Sequence, residues 1–411
     1  MSARVAVPKE VTAGERRVAL VPPTVAKLIG RGVEVAVAAG AGAGSFFPDD
    51  EYAAAGARLV ETPAGLLRDA DVIVKVRPPA PDETELLHAG QVLVCLMDPG
   101  RGPERVAALR DRGVTVFALE LVPRITRAQS MDALSSQASI AGYRAVLMAA
   151  SGLGRFLPML TTPAGTIRPA RVLVLGAGVA GLQAIATARR LGAMVSAYDV
   201  RPAAREQVES LGAKFVSLDL DASASGGYAR ALTADEQERQ SALVGEHVAG
   251  SDAIVTTAAI PGRRAPVLIT AEMIGRMRPG SVVVDLAAES GGNCELTRPG
   301  EKVERGGVTV FGPLNVPSLL PVNASETYAR NILDFLGLLL DEGTLAPRWD
   351  DEIVAASLLT RDGVVIHEPT RAALDELAAS PDTHREPDVH REPDEHREPD
   401  ERPGGNANEA P

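Results

Sequence analysis

The four aliphatic residues Val172 to Leu175 run directly into Gly176-Ala177-Gly178-Val179-Ala180-Gly181, and the chain continues as Leu182-Gln183-Ala184-Ile185. A short apolar run that ends on a G-x-G-x-x-G turn and opens a helix is the strand–turn–helix unit of a doubly wound parallel sheet. Each glycine has a task in such a unit. Gly176 allows the tight turn, Gly178 lets the backbone approach a pyrophosphate, and Gly181 lets helix and strand pack closely. The helix N-terminus adds free N–H groups and a positive dipole end. Asp199 ends the next strand, 18 residues after Gly181, where a carboxylate accepts hydrogen bonds from adenosine ribose hydroxyls and repels a 2′-phosphate. That favours NAD(H) over NADP(H), although Arg201 and Arg205 follow and an arginine can also receive that phosphate. The plainer alternative is a glycine turn that serves packing alone.

The rest of the chain supports the same fold class. Strand-like runs at Val5–Val7, Val33–Val37, Val72–Val76, Val92–Met97 and Val114–Leu119 alternate with helical patterns at Pro23–Gly30 and Pro103–Arg112, which predicts a first doubly wound domain. A long helix over Ser130–Ala150 links it to a second series: strands Val172–Leu175 and Val195–Asp199, helices Val179–Leu191 and Ala203–Leu211, and strands near Ile254 and Val282–Leu286. The expected architecture is α/β, two doubly wound parallel-sheet domains with a cleft between them, the second of Rossmann type. Residues 1–125 form the first domain, completed by a returning segment 322–370, and 126–318 the second. The returning helix is read as Asn323–Leu340, capped by Asn323 or Ser325. Beyond 370 lies a tail expected to be disordered. Its Pro381–Pro411 stretch holds three near-copies of His-Arg-Glu-Pro-Asp, six prolines, and ten acids against four arginines. Such a segment has too little apolar surface to pack. His384, His390 and His396 recur there without a fold to fix ligand geometry, so no metal site is expected.

With 411 residues the chain is long enough for two or three domains of roughly 100 to 200 residues each. The net charge of -12 argues against nucleic acid or anionic membrane as a general surface partner. Cys95 and Cys294 are too few for a disulfide framework or a thiolate metal site and fit a reducing cytoplasm. The longest apolar run, Ile332–Leu340, is short and contains Asp334, so no membrane span is expected. The N-terminus opens on a strand without a secretory signal pattern, so secretion is not expected.

Two polar stretches stand where ligands bind in such folds. Thr256-Thr257-Ala258-Ala259-Ile260-Pro261-Gly262 leaves another strand of the second sheet, and its small side chains let a cofactor lie flat; an ordinary strand exit accounts for it equally well. Arg124-Ile125-Thr126-Arg127-Ala128-Gln129-Ser130-Met131-Asp132-Ala133-Leu134-Ser135 joins the domains. A nicotinamide carboxamide offers one acceptor and two donors, which Gln129, Ser135 and Asp132 match in type. A helix start capped by Ser130 or Asp132 explains the same residues.

Lys9-Glu10, Glu15-Arg16-Arg17-Val18-Ala19, Arg124 to Gln137, Leu175 to Leu182 and Thr256 to Gly262 together resemble the NAD(H)-binding α subunit of proton-translocating NAD(P) transhydrogenases, over about residues 1 to 370. The resemblance implies that the loop with Arg124, Ile125, Thr126, Arg127, Gln129, Ser130, Met131, Asp132 and Ser135 holds the nicotinamide, and that a mobile loop carrying Tyr228 closes over the nucleotide. It further implies nucleotide contacts at Val179, Asp199, Val200, Arg201, Gly227, Gln240 and Ala259. It implies a homodimer that acts with an NADP(H)-binding β subunit and a membrane-spanning subunit, peripheral on the cytoplasmic face of the cell membrane. Because the chain ends without membrane helices, those are expected on separate polypeptides.

The related alanine dehydrogenases share the fold and the glycine motif, and their substrate-binding arginine and lysine look matched by Arg17 and Lys75. Their catalytic histidine is matched here by Asp98, and their catalytic aspartate by Glu289. Reducing a carbonyl or imine requires a proton donor beside the hydride acceptor, usually histidine at neutral pH. Hydride transfer between two nicotinamide rings needs none; it needs orientation and exclusion of water. A self-contained alanine-type dehydrogenase and an NAD-sensing or scaffold module are the rival readings. The first is tested with NADH, pyruvate and ammonia, the second by mixing with an NADP(H)-binding partner.

Overall fold

The computed structural model describes residues 2–216, 233–259 and 264–379. Among them lie two large sheets. The first runs in the order Val364–Val365, Leu358–Arg361, Thr115–Ala118, Val92–Cys95, Val72–Val74, Arg4–Val7, Glu34–Ala38, Arg58–Val60. Its six N-terminal strands are parallel, and the two C-terminal ones add an antiparallel edge. The second runs Lys214–Val216, Met194–Tyr198, Arg171–Leu175, Ala253–Thr256, Val282–Asp285, Val308–Phe311, Lys302–Arg305, parallel except for the last strand. Both are doubly wound, and in the second the order reverses between Arg171–Leu175 and Ala253–Thr256. That reversal opens a crevice outside the carboxyl ends of the two strands.

The central strands are near-continuous Val, Ile and Leu because helices cover both faces; Val72–Val74, Val92–Cys95, Ala253–Thr256 and Val282–Asp285 are buried at every position. The linking helix, Ala133–Gly152, crosses from the first sheet to the second. Gly142 lets it touch the glycine turn, since a β-carbon there would lie 2.0 Å from the Ala180 carbonyl oxygen.

Three details differ from the sequence reading. The returning helix is Pro321–Leu336, and neither Asn323 nor Ser325 caps it. Proline at the first helical position is already suited to that place, and the Ser325 hydroxyl instead accepts the Val18 amide at 3.1 Å from inside the helix. The stretch after Leu336 is not helical through Leu340. It forms a small hairpin, Leu340–Asp341 with Thr344–Leu345, then the helix Glu352–Ser357 and the two edge strands. Residues 371–379, set apart with the tail, belong to the helix Glu368–Ala379, whose Thr370 is buried. The repeats from Pro381 onward lie outside the described residues. Among the described residues no helix is long and apolar enough to cross a membrane, and no group of three His, Cys, Asp or Glu side chains is arranged to hold a metal.

Candidate functional site

The glycine turn is built as its spacing requires. Gly176 has φ +100°, and a β-carbon on it would lie 2.6 Å from Thr257 Oγ1. A β-carbon on Gly181 would lie 1.9 Å from the Gly176 carbonyl oxygen, so helix and strand pack backbone to backbone. Gly178 caps the helix Val179–Arg190 and differs from both: nothing in the protein lies within 4 Å of its β-carbon position. Open space beside a helix N-terminus with free amides is the cradle that an anionic phosphate fits. Val179, the first helical residue, is 43% exposed on its rim.

Asp199 follows the strand Met194–Tyr198. Its Oδ2 accepts the Ala177 amide at 2.7 Å, which ties it to the glycine turn. Arg201 grips both carboxylate oxygens, Nε to Oδ1 at 2.8 Å and a terminal nitrogen to Oδ2 at 2.8 Å. Burial alone would raise the Asp199 carboxyl, but Arg201 and the two backbone amides outweigh it and hold it below the ordinary carboxylate range. The carboxylate therefore stands ionised between the turn and Arg201, with Val200 partly buried beside it. Gln240, on the helix Ala234–Ala249, donates to the Tyr198 hydroxyl at 3.2 Å. Ala259 is exposed at the exit of the strand Ala253–Thr256. Gly227, Tyr228 and Ile260 to Gly262 lie outside the described residues.

The joining loop is a 3₁₀ turn, Thr126–Met131. Ala128 and Met131 are buried in the first core and anchor it, while Arg124, Thr126, Arg127, Gln129 and Ser130 are exposed and Ile125 is half-buried. Asp132 caps the following helix: its Oδ1 accepts the Ser135 amide at 2.8 Å and its Oδ2 the Ser135 hydroxyl at 2.6 Å. The capping alternative thus holds for Asp132 and not for Ser130, whose carbonyl accepts from Asn331 at 2.7 Å. Arg127 is turned to the first domain, where it pairs with Asp351 at 2.6 Å and Glu352 at 3.3 Å. The loop and the glycine turn stand at separate places along one helix, whose first residue lies about 14 Å along the axis from Gly142.

Arg17 and Lys75 are both buried, and neither faces an open pocket alone. Arg17 donates to Glu15 at 2.8 and 2.6 Å, to Gln137 at 2.9 Å and to Asn315 at 3.2 Å. Lys75 pairs with Glu83 at 3.0 Å and Glu10 at 3.6 Å. Burial pushes the Glu15 carboxyl up, but Arg17 and the Ser318 hydroxyl reverse this and hold it far below the usual range; burial, the largest influence on Glu10, raises it. Asp98 is exposed at φ +47° and pairs loosely with Arg101 at 3.7 Å. Glu289 is exposed and accepts the Asn315 amide. The partners Glu83, Gln137, Asn315 and Ser318 carry no sequence signal, because each lies far along the chain from the cation or carboxylate it meets.

Glu120, beneath the Asp98 loop, is another residue that sequence does not single out. Its Oε1 accepts the Met97 and Asp98 amides, while Oε2 is buried without a hydrogen-bond partner. Burial pushes this carboxyl up to about 7. A carboxyl raised on folding stabilises the fold below its unfolded value of about 4.5, and this contribution is lost as pH rises through about 7. Its loss between pH 5 and 8 is on the order of 3 kcal/mol. Urea unfolding at the two pH values is expected to show that drop in the unaltered chain and a smaller one in Glu120→Gln; equal drops would contradict the assignment.

A two-domain α/β body with a phosphate cradle and an acid at the switch point of its second sheet defines a protein of the dinucleotide-fold class. Family models described as Alanine dehydrogenase/PNT, N-terminal domain and C-terminal domain match residues 6–141 and 145–368, and the chain belongs to that family. It is similar to an NAD(P) transhydrogenase subunit alpha of Rhodospirillum rubrum, 48% identical over 375 residues, which is 89% of this chain and 98% of the relative. A crystal structure of a transhydrogenase from Sinorhizobium meliloti superposes with a TM-score of 0.81 at 50% identity, covering 88% of this chain and 99% of that one. An alanine dehydrogenase from Halomonas elongata is 33% identical over 383 residues, 90% of this chain and 96% of the relative.

Proposed function

We propose that the chain is the NAD(H)-binding subunit of a proton-translocating NAD(P) transhydrogenase. Hydride passes directly between NADH held here and NADP⁺ held by a β subunit, and a membrane-spanning subunit couples the transfer to proton movement. In this reading residues 126–318 hold the nucleotide and 1–125 with 322–370 form the other wall of the cleft. The chain is a homodimer, peripheral on the cytoplasmic face of the membrane through its partners. The likeness to transhydrogenase α subunits supports it.

Bound NADH supplies a hydride from C4 of its dihydropyridine ring. Gly176, Gly178, Val179 and Gly181 receive the pyrophosphate; Asp199, with Val200 and Arg201, takes the adenosine ribose; Gln240, Gly227 and Ala259 add further contacts. Arg124, Ile125, Thr126, Arg127, Gln129, Ser130, Met131, Asp132 and Ser135 orient the nicotinamide, and Tyr228 covers it. These residues need only fix the ring and exclude water, because a ring-to-ring hydride transfer calls for no acid.

The observation that carries this reading over an amino-acid dehydrogenase is the neutralisation of Arg17 and Lys75. A carboxylate substrate needs such cations free, and here Glu15, Glu10 and Glu83 already occupy them. Asp98 in place of a histidine points the same way. The orienting role of the exposed Gln129 is tested with Gln129→Asn, which shortens the carboxamide by one methylene. Transfer to an NADP⁺-loaded partner is expected to slow by about a hundredfold while the NADH dissociation constant changes by less than about threefold. Equal effects on both would remove Gln129 from the catalytic set.

A further inference from the structure

The second half of a dinucleotide in this fold lies across the switch point from the acid, over the strands Ala253–Thr256 and Val282–Asp285. The loops leaving those strands are fastened by one fully buried side chain, Asn293. Its Oδ1 accepts the Ala258 amide at 3.0 Å and its Nδ2 donates to the Ala258 carbonyl at 2.8 Å. The carboxamide thus pairs with both backbone groups of one residue, as a neighbouring strand would. Nδ2 also donates to the Pro266 carbonyl at 2.8 Å, so the whole amide is satisfied.

Asn293 is in turn fixed by Asp285, which is also fully buried. The Asp285 carboxylate accepts from Thr256 Oγ1 at 2.8 Å, from the Asn293 amide at 2.7 Å, from the Cys294 amide at 3.0 Å and from Thr297 Oγ1 at 2.6 Å. It binds one end of each loop. Ala258 borders the glycine turn: its amide nitrogen is 3.2 Å from where a Gly176 β-carbon would stand, and the neighbouring Thr257 hydroxyl donates to the Gly176 carbonyl at 3.1 Å.

We infer that Asn293, held by Asp285, is a positioning residue that sets the wall of the crevice on the nicotinamide side. The inference rests on the nucleotide site proposed above. With both polar groups of Ala258 taken, this stretch of the backbone offers the ligand a fixed surface and no hydrogen bonds. The adenosine side, built on Asp199 and the strand Met194–Tyr198, shares no hydrogen bond with Asn293.

The test compares two ligands on the full chain. NADH spans both halves of the crevice, whereas ADP fills only the adenosine and phosphate half. In Asn293→Ala the affinity for NADH is expected to fall about tenfold while that for ADP stays within about twofold. Asn293→Ser, which keeps a hydroxyl in the cavity, gives the same split at about threefold should the alanine variant fail to fold. Parallel weakening of both ligands, or unchanged NADH binding, overturns the inference alone. An unaltered chain that binds ADP but not NADH overturns the nucleotide reading together with it.

Discussion

Replacing Glu15 by alanine is expected to lower the free energy of unfolding by about 3 to 5 kcal/mol, because it leaves a buried arginine without its counter-charge. The Glu15 carboxylate is fully buried and the Arg17 side chain only 2% exposed. Besides Arg17, it accepts from Arg77 Nε at 3.0 Å, Asn315 Nδ2 at 3.0 Å and the Ser318 hydroxyl. With Glu15 gone, Arg17 keeps only the neutral oxygens of Gln137 and Asn315. The cluster also joins the 14–17 loop to the linking helix and to the segment before the returning helix, so its loss loosens the cleft as well as the core. Glu15 is a carboxyl depressed in the fold. Its contribution is complete above its unfolded value of about 4.5 and is lost as pH falls below that. Denaturant unfolding followed by circular dichroism measures it. A loss below about 1 kcal/mol, the level of exposed ion pairs, would show that the cluster does not bind as drawn.

Gly178→Ala is expected to weaken NADH binding on the order of a hundredfold with almost no change in stability. Gly178 has φ -76°, which alanine adopts freely, and its methyl would meet no protein atom. The only thing it displaces is a ligand phosphate approaching the backbone. Gly181→Ala is the contrasting case: its methyl would press on the Gly176 carbonyl at 1.9 Å, so stability and binding fall together, the former by about 1 to 3 kcal/mol. NADH titration beside thermal unfolding separates the two. A Gly178→Ala chain that binds NADH normally would place the pyrophosphate elsewhere.

The regions of this fold that are legible in the sequence are those written in local chemistry. A strand run ending on Gly176, Gly178 and Gly181 has few other solutions, and Asp199 follows at the length of one helix and one strand. The C-terminal edge escapes a reading of the sequence although its signals are present. Arg361-Asp362-Gly363-Val364 carries an Asp-Gly turn with both residues at positive φ, and Glu342-Gly343 forms the other small hairpin. The helix start at Pro321 is masked in sequence because Asn323 and Ser325 are good caps in isolation, while the proline and the Val18 contact decide the matter in three dimensions. The site's electrostatics are the least legible. Asp199 reads as a ribose acceptor, yet its bidentate grip by Arg201 appears only with backbone geometry. Arg17 and Lys75 read as open cations until Glu15, Glu10 and Glu83 converge on them from other segments.

The central claim is that this chain gives its hydride to a second nucleotide and not to a small metabolite. The most direct measurement follows NADH oxidation by the purified chain, first with pyruvate and ammonia and then with an NADP⁺-loaded partner domain. The account predicts no turnover in the first case and stoichiometric formation of NADPH in the second. Sustained turnover of pyruvate and ammonia, with no transfer to the partner, would contradict it.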